Sequence, residues 1–277
     1  MAAPPAPRAA VASKAAVVER LRAAGCVFAE EEARLMDRAA ATPEQLEALV
    51  ARRVTGVPLE HILGWAEFCG RRIAVEAGVF VPRRRTGFLV RQAAQLLAGA
   101  GAGRTPVVVD LCCGSGAVGA VLAAQAGPLE LHASDIDPRA VRCAARNVVP
   151  LGGSVHEGDL YGPLPERLRG RVDILAVNAP YVPSAEIGTM PQEARLHEPR
   201  VSLDGGTDGL QVQQRVAAGA PDWLAPGGHL LIETSRRQAE RTAGLVVRHG
   251  LTARVASSGK LDATVVIGTA APPGGRR

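Results

Sequence analysis

The sequence predicts an α/β fold for residues 93–277, an open and mainly parallel sheet with helices on both faces, preceded by a small helical domain. Three observations carry this. Apolar runs of strand length alternate with helix-length segments from Pro106 onward. A glycine-rich turn follows the first run, and Asp or Asn closes the next three. The chain before residue 63 shows helical spacing instead.

Residues 1–12 are rich in Ala and Pro and are expected to form a disordered tail. Ser13 can cap a first helix carrying Val17, Val18 and Leu21, with Gly25 at its stop. A second helix is expected from Glu30 through Leu35 and Met36. Thr42-Pro43-Glu44-Gln45 places an N-cap, an N1 proline and a capping-box glutamine in order, ahead of Leu46, Leu49 and Val50 on one face. Residues 13–62 thus read as the helical domain. Over residues 63–92, Phe68, Ile73, Val75, Val79 and Val81 are spaced for strands and Gly64, Gly70 and Gly78 punctuate them, as in a hairpin connector.

In the main domain, Val107–Leu111 is a buried-strand run followed by a helix to Ala126. Leu129–Ser134 is a second strand ending at Asp135, after which Asp137 can cap and Pro138 can start a helix to Val148. Val155–Asp159, Val172–Val177 and His229–Glu233 supply three more strands, with a helix over Gly209–Leu224 before the last.

Composition narrows the function. At 277 residues and 47% hydrophobic, the chain can build one large domain and a small one. The net charge of +5 suits an acidic partner but equally a solvated basic surface, so nucleic acid is allowed and not required. Five cysteines without a Cys-x-x-Cys pair indicate neither disulfides nor zinc, and the six histidines show no ligand spacing, so no metal is expected. With no apolar stretch near the ~20 residues of a membrane span and no signal-peptide core, a cytoplasmic location without membrane attachment is expected.

In such a sheet ligands sit beyond the carboxyl ends of the strands, where Gly114, Asp135, Asp159 and Asn178 fall. The run from Asp110 through Cys112 and Gly114 to Gly116 ends the first strand and opens a helix; its glycines let backbone approach a ligand, and Asp110 can bind the ammonium of an amino-acid ligand. Gly114-x-Gly116-x-x-Gly119 also satisfies a dinucleotide fingerprint, with Asp135 placed for ribose hydroxyls; the plainer role of Asp135 is helix capping. An acid just before the turn would repel a pyrophosphate but suits the methionine amine of S-adenosylmethionine, the expected cofactor. Asp159 is placed for the adenine amino group.

Val177-Asn178-Ala179-Pro180-Tyr181 supplies the chemistry. The Asn178 side-chain oxygen can accept from an NH₂ group, beside a carbonyl held by the Ala179-Pro180 linkage and the aromatic face of Tyr181. That is a clamp for a planar amide or amine, and methyl transfer to its nitrogen is the expected reaction. An ordinary strand-ending turn is the alternative for these residues in isolation.

The ordered set Asp110–Gly116, Asp135, Asp159 and Asn178–Tyr181 resembles class I methyltransferases of the release-factor glutamine methyltransferase type, whose hallmark is Asn-Pro-Pro-Tyr. The resemblance extends over Gly56-Val57-Pro58-Leu59 with Ile62, Gly64 and Phe68, over Val79-Phe80-Val81-Pro82-Arg83, over Glu198-Pro199 and Leu203–Leu210, and over Gly228–Glu233 with Gln238. It implies a Rossmann-like sheet, with the helical domain recognising the substrate. S-adenosylmethionine would be held by Asp110, Cys112, Gly114, Gly116, Asp135, Ile136, Asp159, Leu160 and Asn178. The acceptor, a glutamine of a release factor or ribosomal protein, would meet Asn178, Ala179, Pro180 and Tyr181 together with Arg83, Thr86 and Glu198.

Three departures stand out. Cys112 replaces the first glycine of the turn, which suggests tighter cofactor packing, and Ala179 replaces a proline. The family's Arg-Pro-Glu-Thr-Glu is Arg83-Arg84-Arg85-Thr86-Gly87 here, losing two carboxylates and gaining guanidiniums that either meet an acidic partner or form a solvated edge. Two other functions stay open: methylation of a nucleic-acid exocyclic amine, with a flipped base stacked on Tyr181, and cofactor binding without catalysis. The helical domain and the Gly-Gly-x-Asp-Gly segment favour the glutamine reading over the nucleic-acid one.

Overall fold

The computed structural model describes residues 13–99 and 104–272; the tail expected at 1–12 lies outside the described residues. The chain forms two units that meet in sequence at Leu63 and Gly64. In the first, α1 (Lys14–Ala23), α2 (Ala29–Ala39), α3 (Pro43–Val54) and the short α4 (Leu59–Leu63) enclose Val17, Leu21, Met36 and Val50. Ser13 Oγ accepts from the Ala16 N–H, and Gly25, one residue past the α1 cap, takes φ 88°. Thr42 Oγ1 caps the Gln45 N–H, but Gln45 Oε1 accepts from the Ala41 N–H one residue upstream of the expected box position. A buried Arg53–Glu32 pair, 2.6 Å at its closest, ties α3 to α2.

The second unit opens with the predicted hairpin, β1 (Trp65–Phe68) and β2 (Arg71–Ala74), paired antiparallel around Cys69 and Gly70, both at positive φ. Val79 and Val81, expected as strand residues, lie instead in an irregular segment that buries Val79 against Ala140 and Cys143 and Val81 against Ala66 and Val75. Helix α5 (Gly87–Gly99) starts inside the expected connector; its apolar residues Leu89, Val90 and Ala93 belong to the main core.

The remaining elements are β3 (Val107–Leu111), α6 (Ala117–Gln125), β4 (Glu130–Asp135), α7 (Pro138–Val148), β5 (Ser154–Glu157), β6 (Val172–Val177), α8 (Gln192–His197), α9 (Gln211–Trp223), β7 (Leu224–Thr234), α10 (Ala239–Arg248), β8 (Thr252–Ser258) and β9 (Ala263–Thr269). They form a seven-stranded sheet in the order β5-β4-β3-β6-β7-β9-β8, not five strands. The first five strands are parallel; β9 and β8 add an antiparallel edge.

Residues of β3 alternate between the faces. Val108 packs under α5 and α6 with Ile174 and Leu231, while Val107, Val109 and Leu111 pack under α9 and α10 with Leu175, Val216 and Leu245. Because both faces are covered, β3 reads as a continuous apolar run interrupted only at Asp110. The chain runs outward from β3 to β5 and resumes on the other side at β6, so the turns after β3 and β6 border the topological switch point. Among the described residues no helix is long and apolar enough to cross a membrane.

Candidate active site

A cleft of about 1110 Å³, its open mouth included, lies at the carboxyl ends of β3, β4, β5 and β6. Its walls include Asp110, Cys112–Ser115, Asp135–Asp137, Asp159, Leu160, Asn178 and Pro180. On the opposite side it is closed by Val79, Phe80, Pro82 and Thr86 of the segment after the hairpin and by Pro199 and Val201.

The glycine turn is held by carboxylates. Asp110, 2% exposed, accepts the Gly119 N–H of α6 at 2.8 Å. Asp135 accepts the Gly114 N–H at 2.8 Å with one oxygen and the Asp137 N–H at 2.9 Å with the other, and the Ile136 N–H also favours its charged form, which leaves the carboxylate spare acceptor capacity. Asp137, as expected, caps α7 through the Arg139 N–H. Gly116 requires its missing side chain: at φ 71° a Cβ would approach Val148 Cγ2 to 2.8 Å. Cys112 also takes positive φ, 56°, with its side chain partly buried, so the non-glycine residue carries backbone strain there.

Electrostatics follow from burial. It pushes the Asp110 carboxyl up to about 7, opposed by the Gly119 N–H and reinforced by Asp135. Asp135 is raised for the same reason, against the Asp137, Gly114 and Ile136 N–H groups. The Cys112 and Cys113 thiols are pushed well above their ordinary value by burial beside these acids, which keeps them neutral and poor nucleophiles.

Around the far wall, Asp159 is exposed and pairs with Arg215 of α9 at 2.5 Å. Sequence reasoning missed Arg215, since nothing local links positions 56 residues apart. Ile136 stands 52% exposed at the cleft and Leu160 turns into it at φ 48°. Asn147 was missed as well: it bonds both backbone groups of Ala74 and donates to the Ser115 carbonyl, joining the hairpin to the glycine turn.

Asn178 follows the last residue of β6. Its Nδ2 lies 3.4 Å from the buried Thr86 Oγ1, and with that donation its Oδ1 is left to accept from a ligand. Ala179 is 1% exposed and packs into the core with its methyl, so only its backbone can serve a ligand. The Tyr181 hydroxyl is 3.5 Å from Glu233 Oε1, and burial beside that acid pushes it up to about 12. Gln238 holds the Tyr181 carbonyl at 2.9 Å, and Gly209 must be glycine because a Cβ would lie 2.4 Å from that oxygen. The Gly-Gly-x-Asp-Gly segment is therefore the bed of the clamp loop.

Arg83 and Glu198 meet each other. Both Glu198 oxygens lie 2.6 Å from Arg83 Nη2, Oε1 also accepts the Val81 N–H, and the acid side chain is 1% exposed. Burial raises the Glu198 carboxyl against the opposing Arg83 charge. The three arginines, expected either to meet an acidic partner or to form a solvated edge, divide: Arg83 is paired with Glu198, Arg84 is exposed, and Arg85, also exposed, stands 3.5 Å from Glu233 and over the Tyr181 ring at 6.0 Å.

The family described as Methyltransferase small domain matches residues 73–203. The release factor glutamine methyltransferase of Geobacter sulfurreducens is 38% identical over 213 residues, 75% of this chain and 72% of that protein. The release factor glutamine methyltransferase of Cereibacter sphaeroides is 35% identical, spanning 92% of this chain and 95% of its own length. Among solved structures, the 16S rRNA N2 G1207 methyltransferase of T. thermophilus matches with a TM-score of 0.52 at 19% identity over 74% of this chain and 49% of that one, a likeness of fold.

Proposed function

The chain belongs to the release factor glutamine methyltransferase family, and on that premise we propose that its cleft methylates the side-chain amide of a glutamine in a protein acceptor, a peptide chain release factor foremost. The observation that carries this reading is Asn178, whose amide nitrogen turns to Thr86 and leaves its oxygen for an NH₂ group at the cleft. S-adenosylmethionine is the cofactor. The residues present fit it: a Cβ on Gly114 would project toward the cleft with Phe80 as its nearest neighbour at 3.9 Å, Asp110 is a buried acid suited to an ammonium, and Asp135 retains lone pairs for ribose hydroxyls. Asp159 with Arg215, Ile136 and Leu160 would border the adenine.

When bound, the cofactor supplies a methyl group on an electron-poor sulfonium. The chain's residues do the rest by placement. An amide nitrogen is a poor nucleophile because its lone pair is delocalised into the carbonyl. Asn178 Oδ1 and the Ala179 carbonyl accept its two N–H groups and fix the amide plane, against which Tyr181 packs. The neutral Tyr181 hydroxyl is no base at ordinary pH, so the surplus proton leaves to water during or after transfer. Glu198 and Arg83 hold the Val79–Thr86 wall, and the helical unit is assigned to acceptor recognition in the cytoplasm.

The test is transfer of labelled methyl to purified release factors, ribosomal particles and free nucleic acid, followed by digestion. Label on a release-factor glutamine is the expected result; label confined to adenine or cytosine, or none in protein that binds cofactor, overturns the reading.

A further inference from the structure

Glu233, 1% exposed near the end of β7, is charged chemistry with no role in the steps above. The β6–β7 register pairs Val177 with Ile232, so Asn178 and Glu233 are the next residues on neighbouring strands. Glu233 Oε1 is 3.5 Å from both Tyr181 Oη and Arg85 Nε, while Oε2 has no hydrogen-bond partner. The Thr86 hydroxyl faces this carboxyl and, on its other side, is 3.4 Å from Asn178 Nδ2.

We propose that Glu233, acting through the Thr86 hydroxyl, is the positioning residue that sets which way the Asn178 carboxamide faces. This rests on Asn178 being the acceptor clamp. A carboxylate can only accept, so it draws the Thr86 proton to itself and leaves the Thr86 oxygen as acceptor toward Asn178. Nδ2 then turns to Thr86 and Oδ1 to the cleft, where an acceptor NH₂ needs it. Once Glu233 is protonated, it donates to Thr86, Thr86 donates onward, and the carboxamide is drawn the other way, presenting donors to donors. Burial raises the Glu233 carboxyl, with Thr86 and Arg85 from the turn before α5 and Tyr181 from the clamp loop opposing the shift, so the reversal falls above the ordinary carboxylate range.

Three variants test the relay in the full chain. Thr86→Val keeps the shape and removes the hydroxyl; it should lower kcat roughly 10- to 100-fold with cofactor affinity unchanged, and Thr86→Ser should restore most of the loss. Glu233→Gln should cost a comparable factor and remove the acid limb of the kcat profile, and joined to Thr86→Val it should add little, because both break one relay. The Asn178 side-chain NH₂ resonances should move with pH as Glu233 titrates above the ordinary carboxylate range in the native chain, and stay still in Glu233→Gln. This readout needs no acceptor: a titrating carboxamide in an enzyme that labels no glutamine would sink the proposed function and leave the relay standing. Multiplicative losses, Thr86→Val turning over like the native enzyme, or a native carboxamide indifferent to pH would each overturn the relay. Should Thr86→Val fail to fold, the spectra of the native chain and Glu233→Gln decide alone.

Discussion

Cofactor affinity is expected to rise with pH, because Asp110 must give up a proton to meet the cofactor's ammonium. Burial in β3 lifts its carboxyl from an ordinary 3.8 to about 7, with Asp135 adding to the shift and the Gly119 N–H opposing it. At that value the ionised fraction grows from roughly 3% at pH 5.5 to one half at pH 7, so Kd should fall about 16-fold if the ammonium binds only the carboxylate. Measurement stops near pH 7 because a free α-amino group itself titrates at about 7.7–8.0. Calorimetry at pH 7 in buffers of different ionisation enthalpy should show about half a proton released per cofactor bound. An analogue without the amine, 5′-methylthioadenosine, should show a smaller slope, and Asp110→Asn, which still accepts the Gly119 N–H, should lose the Asp110 part. Asp135 is raised in the same direction, so the Asn variant is the control that isolates Asp110. A flat Kd, or one equally steep in Asp110→Asn, would refute the reasoning. For the cofactor-free fold the sign reverses. A folded pKa above the unfolded one gives stability fully present below 3.8 and lost as pH rises through about 7, so the urea midpoint should drop over that window.

The other expectations are quicker to state. Asn178→Ala should abolish methyl transfer with the fold and most cofactor affinity in place, as read by labelled transfer, thermal melts and calorimetry. Ala179→Pro should stay active and gain up to about 1 kcal/mol in urea unfolding, because the acceptor uses its carbonyl; inactivation with unchanged cofactor binding would assign a role to its N–H. Cys112→Gly should relieve the strain of φ 56°, worth about 1–2 kcal/mol before the lost thiol packing is subtracted, and raise the urea midpoint. Arg84→Gln should weaken acceptor docking and flatten its salt dependence without touching stability, whereas Glu198→Ala should destabilise by about 1–3 kcal/mol through the unsatisfied Val81 N–H and leave Arg83 unpaired.

The parts legible in sequence were those whose signal is local. Thr42, Asp137, Pro138 and Gly25 announced helix ends because a cap needs only residues within one turn, and β3 and β6 announced themselves because a strand covered on both faces must be apolar throughout. The antiparallel edge escaped this logic: β8 alternates half-buried and exposed residues at the sheet margin, and β9 is inserted between β7 and β8 by pairing that no local pattern records. Within the cleft, the acids and glycines were visible while their partners were not. Arg215 and Asn147 act on residues 56 and 32 positions away, and Gln238 and Glu233, named in sequence only through the family resemblance, reach Tyr181 across 57 and 52 positions.

The segment that departs most from its family divides by contact. In Arg83-Arg84-Arg85-Thr86-Gly87, the two residues that match the family's Arg-Pro-Glu-Thr-Glu are Arg83 and Thr86, which make the interior bonds to Glu198 and Asn178. The replaced positions do other things. Arg84 points its charge to solvent, Arg85 stays half exposed beside Tyr181, and Gly87 lies where a Cβ would press to 3.0 Å on Cys69 Sγ. A side chain at 87 would therefore need the Cys69 sulfur to give by a few tenths of an ångström. What does change is the exposed charge, positive at Arg84 and Arg85. On the proposed function the interior contacts would serve the reaction and the rim charges the docking of the acceptor, so substitution at 84 is expected to move docking while substitution at 86 is expected to move turnover.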